Sequence, residues 1–342
     1  MLARVIRAEE ALAPACAILA AGGIVAMPTE TVYGLAGDAT NGDAVLRIFE
    51  AKGRPRFNPL IAHVASLEMA HGLARFDALS LKLAGRFWPG PLTLVLPLGE
   101  GSPIHPLVTA GLDTVALREP RGFGRDLIAA FGRPLAAPSA NTSGRISGTS
   151  ADAVLADLGE KIPLIVDGGP TPVGVESTIV KVEPERIVLL RPGGVPVEEI
   201  EAVADRPVIR AVGEEVVAPG MLASHYAPDA GVRLDADAVR PGEALLAFGP
   251  RRIAGAEAAR AVLNLSETGD LREASRNLFA FLRQLDRSGA ASIAVEPVPV
   301  NGLGEAINDR LGRAPPPRHT SRYAFQAPHK EKPPPFPPPP RR

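Results

Sequence analysis

The chain has 342 residues, a length that suits about two domains with material left over. Apolar residues make up 46% and charged residues 22%, which excludes wholesale disorder and a coiled coil. A net charge of −1 gives no global reason to expect nucleic acid or membrane as a partner, so any cationic site must be local. The single cysteine, Cys16, excludes an internal disulfide and a multi-cysteine metal knuckle, and suits a reducing compartment. With aromatics at 4%, the cores are packed mostly by Ala, Leu, Val and Ile.

The uncharged stretch 11–29 is interrupted by Pro14 and the Gly22-Gly23 pair, and Glu9 and Glu10 sit where a signal peptide carries positive charge. It reads as a helix followed by a buried strand. No other segment reaches the roughly 18–20 apolar residues of a membrane span, and a cytoplasmic location is expected. Further strands are expected at 60–64, 92–96, 114–117, 164–166, 178–182 and 187–190, after a first at 24–27. Helical patterns fall at 43–51, 79–87, 124–131 and 151–158. Glu183-Pro184-Glu185 makes 178–190 a hairpin, because proline cannot continue a central strand, so the sheet is mixed and not purely doubly wound.

Between Arg206 and Asp229 the pattern dissolves around Ala218-Pro219-Gly220 and Ala227-Pro228, as expected of an interdomain linker. Alternation then resumes with strands at 244–248, 261–265 and 292–295 and a helix at 270–288, whose Leu271, Ala274, Leu278, Leu282 and Leu285 form one apolar stripe. A last helix at 304–311 closes a small α/β domain. The final 29 residues contain 11 prolines and cannot bury a core, which predicts a disordered or polyproline tail. The expected organisation is 1–205, a linker at 206–229, a small domain at 230–313 and a tail at 314–342.

Three stretches carry chemistry. Pro28-Thr29-Glu30-Thr31-Val32-Tyr33-Gly34-Leu35 follows a strand end, where α/β proteins bind ligands, though its hydroxyls equally suit a turn bonded to its own backbone. Lys52-Gly53-Arg54-Pro55-Arg56 places three cations on a tight loop, either a solvated face or a partner for phosphate or carboxylate. Pro138-Ser139-Ala140-Asn141-Thr142-Ser143-Gly144, with Ser147 and Ser150, is a helix cap or an anion cradle. A phosphate loop of the Walker type, a complete dinucleotide fingerprint, a His-Glu-x-x-His zinc motif and a Gly-x-Ser-x-Gly elbow are all missing from the sequence.

Taken together and in order, Pro28 to Leu35, Lys52-x-Arg54 with Asn58-Pro59-Leu60, Leu117-Arg118-x-Pro120, Ser139-Ala140-Asn141, Glu176-Ser177-Thr178-Ile179 and Leu190-Arg191-Pro192-Gly193 resemble the YrdC-like domain of threonylcarbamoyl-AMP synthases. The run Ala218-Pro219-Gly220-Met221 with His225-Tyr226-Ala227-Pro228 resembles the two-domain long form of that family. The resemblance covers about residues 5–313 and implies a twisted mixed sheet flanked by helices, plus a smaller Rossmann-like α/β domain.

The same resemblance implies a nucleotidyltransferase that makes threonylcarbamoyl-AMP and pyrophosphate from L-threonine, bicarbonate and ATP. The product serves threonylcarbamoyladenosine formation at position 37 of tRNAs reading codons that start with A. By resemblance, Lys52, Arg54, Ser139 and Asn141 are the catalytic set, with Lys52 and Arg54 facing the triphosphate or carbamate. ATP falls to Arg54, Asn58, Thr114, Ser139, Ser147, Arg191 and Tyr226, with Tyr226 and its linker acting as a lid that excludes water. L-threonine falls to Thr31, His63, Arg118, Ala137 and Ser177, with Arg118 pairing its carboxylate. Mg²⁺ is expected to arrive with ATP, without a protein metal ligand. The downstream tRNA threonylcarbamoyl transferase machinery is the expected partner, and stable direct nucleic-acid binding is not expected. An RNA-binding module using the same basic cleft is the alternative; it needs a long cationic stripe and stacking aromatics, and both are scarce here. A related carbamoyl-transfer enzyme shares the fold but normally carries cysteine-rich metal motifs, which one cysteine argues against.

Overall fold

The computed structural model describes residues 2–183, 185–211 and 228–314; Tyr226, most of the expected linker and the proline-rich tail lie outside them. The larger of two sheets has 11 strands. They are β1 (Arg4–Arg7), β2 (Val25–Met27), β3 (Gly34–Asp38), β4 (Ile61–His63), β5 (Leu92–Pro97), β6 (Thr114–Arg118), β7 (Leu135–Ala136), β8 (Leu164–Asp167), β9 (Thr178–Val182), β10 (Ile187–Arg191) and β11 (Val208–Arg210). Their spatial order is β1-β8-β2-β3-β7-β4-β6-β5-β9-β10-β11, with parallel and antiparallel pairs intermixed. This agrees with the mixed sheet expected from the sequence, and the β9–β10 hairpin forms as expected.

The helices are α1 (Ala8–Ala20), α2 (Gly42–Lys52), α3 (Leu67–His71), α4 (Ala78–Phe87), α5 (Pro106–Thr109), α6 (Phe123–Phe131), α7 (Ala151–Leu158), α8 (Val197–Ala204), α9 (Leu271–Asp286) and α10 (Leu303–Gly312). Among the described residues no helix is long and apolar enough to cross a membrane. Polar caps mark many of the starts: Asn41 accepts from the Asp43 and Ala44 amides, Asp77 from Ser80, Ser150 from Ala153 and Asp270 from Arg272 and Glu273.

Side-chain alternation divides the large sheet into two faces. One face, carrying Ala26, Leu35, Ala62, Leu94, Leu117, Ala136, Ile165, Val180 and Leu189, is covered by α2, α4, α7 and α8 in the main core. The opposite face is covered by α1 and α6 only at the β1-β8-β2-β3-β7 end, over Val25, Met27, Ala36, Leu135 and Val166. From β4 to β10 that face carries a small apolar group, Ile61, Val95, Ala116, Ile179 and Leu190, made of strand residues alone. This uncapped half is where the polar residues gather.

The smaller sheet holds β12 (Gly231–Arg233), β13 (Glu243–Ala247), β14 (Val262–Asn264) and β15 (Ser292–Val295), all parallel, in the order β12-β15-β13-β14. That order differs from the 3-2-1-4 succession of a dinucleotide-binding half, so "Rossmann-like" fits its parallel strands and helices but not its strand order. The expected α9 stripe is buried as Ala274, Leu278, Leu282 and Leu285 against Leu246, Ile293 and Val295.

The segment 206–229 is not linker throughout. Val208–Arg210 pairs parallel with β10 and extends the large sheet, a three-residue strand too short to stand out beside Pro207. Helix α8, just before it, is likewise unforeseen from the sequence pattern. So is β3, whose Gly-Leu-Ala-Gly-Asp sequence lacks any β-branched residue and is a strand because β2 and β7 flank it.

Candidate active site

Strand register brings four of the expected site residues, His63, Thr114, Arg118 and Arg191, onto the uncapped half-face. His63 and Arg118 are direct partners in the parallel pair β4–β6, and Ile61 pairs with Ala116 between them and Thr114. The Ala137 amide donates to the Ile61 carbonyl, and Thr93, which shares the face, is 2.7 Å from the Ser177 hydroxyl. On β10 a register shift lies between Leu189 and Arg191, so that Leu190 and Arg191 both turn toward this face. Arg191 then donates through Nη2 to Ser177 O and Oγ at 2.9 and 3.2 Å. Thr114 shares the face but stands at the opposite end of β6 from Arg118 and is half-buried.

Two of the three cations of the basic loop are folded inward, and Arg56 is exposed. Lys52 ends α2, and Gly53 follows in the left-handed region with φ 59°, reversing the chain where a side chain would be strained. Lys52 is 1% exposed, and its Nζ donates to the carbonyls of Ser139 and Asn141, both at 2.6 Å. Burial, and after it the charge of Arg54, holds its amine well below the usual lysine range. Arg54 is buried too; it donates to Asn58 O at 3.3 Å and to Pro59 O at 2.8 Å. The structure therefore refines the expected role of Lys52: two of its N–H groups hold the 139–141 loop instead of pointing outward.

Three more segments close the arrangement. The Thr29 hydroxyl bonds the Thr31 hydroxyl and the Val32 carbonyl, so the local-turn reading of this segment holds for Thr29. Glu30 Oε2 lies 2.8 Å from Arg118 Nη2 and accepts the Arg121 amide. Ser147 Oγ donates to Glu176 Oε1 at 2.6 Å, while Ser150 is an ordinary cap of α7. Burial alone would raise the Glu176 carboxyl, but Arg310, Arg191 and hydrogen bonds from Ser147 and Arg310 outweigh it and hold it at about 2.

Unpaired atoms mark where a ligand belongs. Buried polar groups are almost always hydrogen-bonded, and those that are not ask for a partner the protein does not supply. Among the described residues seven buried side-chain atoms lack one, and five of them sit here: Glu30 Oε1, Asn58 Nδ2 and Oδ1, Arg118 Nη2 and Asn141 Oδ1. Arg118 Nη2 is close to Glu30 but outside hydrogen-bond geometry. Asn58 is completely buried with its whole amide unengaged. Lys52, Arg54, Arg118 and Arg191 are each at least nine-tenths buried, which suits an enclosed small anion and not an exposed groove tracking a nucleic-acid backbone.

The 1230 Å³ cleft between the two domains shares Glu30 with this site. It is lined by Thr29, Glu30, Arg121, Gly169, Asp270 and Leu303 among others, and by none of the residues expected to bind substrate. Among the described residues no cluster of three or more His, Cys, Asp or Glu could hold a metal. Of the carboxylates nearest the site, Glu176 is engaged at both oxygens, by Ser147 and Arg310, while Glu30 has Oε2 beside Arg118 and Oε1 unpartnered.

His63, 3% exposed, is held neutral: burial, and then the neighbouring Arg118, push its pKa down to about 3, and Nδ1–H faces the Ile61 carbonyl at 3.3 Å. Between a histidine's ordinary 6.5 and about 3, the unfolded chain binds a proton that the folded chain refuses. The contribution is complete above pH 6.5 and is lost as pH falls, by about 1.4 kcal/mol per unit. Urea titrations from pH 7 to 5 are expected to show this slope, and His63→Gln to flatten it; an unchanged slope in the variant would remove His63 as its source.

Glu30, Glu176 and Arg310 join the site without having been legible as site residues. The first two lie inside the motifs of the N-terminal half, where a carboxylate is out of place if the site is taken to hold only anions. Nothing in the sequence separates Arg310, in the last turn of a helix, from a solvated arginine.

Comparison with known proteins supplies an independent line. A family model described as Telomere recombination, covering the Sua5, YciO and YrdC proteins, matches residues 17–193. A second, described as threonylcarbamoyl-AMP synthase, C-terminal domain, matches residues 195–315. The threonylcarbamoyl-AMP synthase of Pyrococcus abyssi is 45% identical over 86% of this chain and 90% of its own length. That of Bacillus subtilis is 41% identical over 89% and 92%. The crystal structure of P. abyssi Sua5 complexed with L-threonine superposes with a TM-score of 0.83 at 40% identity, over 92% of this chain and 99% of that one.

Proposed function

The chain belongs to the two-domain threonylcarbamoyl-AMP synthase family, and from that premise we infer that it converts L-threonine, bicarbonate and ATP into threonylcarbamoyl-AMP and pyrophosphate. The observation that carries this reading is the set of buried, unpartnered atoms on Glu30, Asn58, Arg118 and Asn141 around one strand face. Such a set offers donors for carboxylate and phosphate together with acceptors for amine and hydroxyl groups.

The reaction needs no protein nucleophile. The threonine amine and bicarbonate condense to a carbamate with loss of water, and a carbamate oxygen attacks the α-phosphorus of ATP as pyrophosphate leaves. What the protein supplies is position and charge compensation. We assign Arg118 to the threonine carboxylate, with His63, neutral, beside it and Thr31, Ser177 and the Ala137 backbone around the rest of the amino acid. Arg54, Asn58, Ser139 and Arg191 take the nucleotide and carbamate oxygens, and Lys52 acts through the loop it holds. Thr114, at the far end of its strand, and Ser147 belong to the nucleotide side. Mg²⁺ comes with the triphosphate, and no step is assigned to it. We place the reaction in the cytoplasm, ahead of the transferase machinery that modifies tRNA.

The test is direct. Protein, ATP, Mg²⁺, bicarbonate and L-threonine are expected to release pyrophosphate, with release falling to background when threonine is omitted or bicarbonate is purged. Pyrophosphate release that ignores threonine, in protein that binds ATP, would refute the assignment.

A further inference from the structure

The small domain reaches the site of the large one at three points of a single seam. Val32, Ile146 and Val175 lie in the segments of the large-sheet domain, yet they are packed into the core of the small domain with Leu278, Phe279 and Ile307. Each is the immediate neighbour of a site residue: Thr31, Ser147 or Glu176. The seam is tight. At Gly174, φ is +81°, and a Cβ would fall 2.3 Å from the Ser275 carbonyl oxygen of α9. The Ser275 hydroxyl donates to the Val173 carbonyl at 3.0 Å. From the same helix Arg283 Nη2 donates to the Ile146 carbonyl at 2.9 Å and reaches that of Ser147 at 3.4 Å.

The deepest crossing is Arg310 of α10, which is completely buried. Its Nε donates to Glu176 Oε2 at 2.8 Å and its Nη2 to the Pro192 carbonyl at 3.0 Å. The other Glu176 oxygen accepts the Ser147 hydroxyl. An ionised carboxylate only accepts, so the Ser147 proton points at Glu176, and what Oγ has left for a ligand is lone pairs. Phosphate oxygens are acceptors as well and cannot use them. The donors that ATP carries are its ribose hydroxyls and its base amine, and a serine oxygen whose own proton is held by Glu176 suits a ribose hydroxyl.

We propose that Arg310 is a positioning residue of the nucleotide site, aiming Ser147 through Glu176 at a ribose hydroxyl, so that the second domain sets selectivity for a ribonucleotide. This rests on the assignment of Ser147 to ATP under the synthase reading. It gives the second domain a chemical role, that of joining Arg191 in supplying the countercharge that keeps the buried Glu176 ionised.

The test compares ATP with 2′-deoxy-ATP and 3′-deoxy-ATP, by calorimetric binding without threonine and by pyrophosphate release with it. Wild-type protein is expected to favour ATP over one of the deoxynucleotides by about tenfold or more, the size of a hydrogen bond polarised by a charge. Ser147→Ala and Arg310→Met are expected to lose that preference, read as the ratio of the KM values for ATP and the deoxynucleotide, and Arg310→Lys to recover part of it. Should Arg310→Met not fold, the neutral pair Glu176→Gln with Arg310→Met removes the lone buried charge and reads the same ratio. Equal binding of all three nucleotides by wild-type protein would overturn the proposal, as would a preference surviving in Ser147→Ala. Discrimination against inosine triphosphate alone would place the base amine at Ser147 and overturn it too. Failure of the synthase reading is separate, because it shows as wild-type protein that binds nucleotide yet releases no threonine-dependent pyrophosphate.

Discussion

Arg118→Met is expected to raise the KM for L-threonine by about a hundredfold or more while ATP still binds. Arg118 sits at the C-terminal end of β6, 3% exposed, with Nε on the Gly90 carbonyl and Nη2 beside Glu30. Truncating one member of a buried charge pair costs about 2–5 kcal/mol at a binding site, and tenfold in affinity is about 1.4 kcal/mol. The same substitution strands the Glu30 carboxylate, so a stability loss of about 3–5 kcal/mol accompanies it. The two effects separate in the double variant Glu30→Gln with Arg118→Met. Urea titration is expected to show stability regained, whereas threonine titration is expected to show affinity still absent. Recovery of threonine binding in the double variant would mean that the carboxylate of the substrate is held elsewhere.

Lys52→Met carries the second large effect. The Lys52 Nζ ties the end of α2 to two backbone carbonyls of one loop, those of Ser139 and Asn141. A neutral amine keeps two donors, the number those carbonyls require, so the tie does not depend on the charge. Methionine fills the volume and supplies neither donor. Turnover is expected to fall by about a hundred- to a thousandfold, as when a preorganised polar group is withdrawn from an active site, with about 1–3 kcal/mol lost in stability from the orphaned carbonyls. Amide exchange read over 139–143 is expected to quicken, and unaltered exchange with full activity would assign Lys52 a passive place.

The sequence disclosed the architecture well where periodicity carried it. The stripe on α9 and the hairpin at 178–190 are formed by local pattern and turn chemistry, and both stand in the structure. It disclosed poorly what only neighbours decide. Gly34–Asp38 is a strand through its pairing partners, and Val208–Arg210 through three residues of β10. For the site, the hydroxyl, amide and cationic residues were visible as clusters, and apart from Tyr226, the exposed Arg56 and the helix cap Ser150 the structure gathers them around one sheet face and the loops at its edge. Their individual duties were not visible. That Lys52 points inward, that Asn58 has an entirely unengaged amide and that Glu176 answers to an arginine 134 positions away are facts of tertiary contact. No spacing rule connects them.

The interleaving of Val32, Ile146 and Val175 with site residues bears on how this protein can be dissected. Cutting the chain after the large sheet would not yield a minimal enzyme. It would lay bare three aliphatic side chains at the rim of the catalytic hollow, leave Glu176 with its strongest counter-ion gone, and invite aggregation through the new sticky edge. A second domain transplanted from elsewhere would have to bring its own matching arginine.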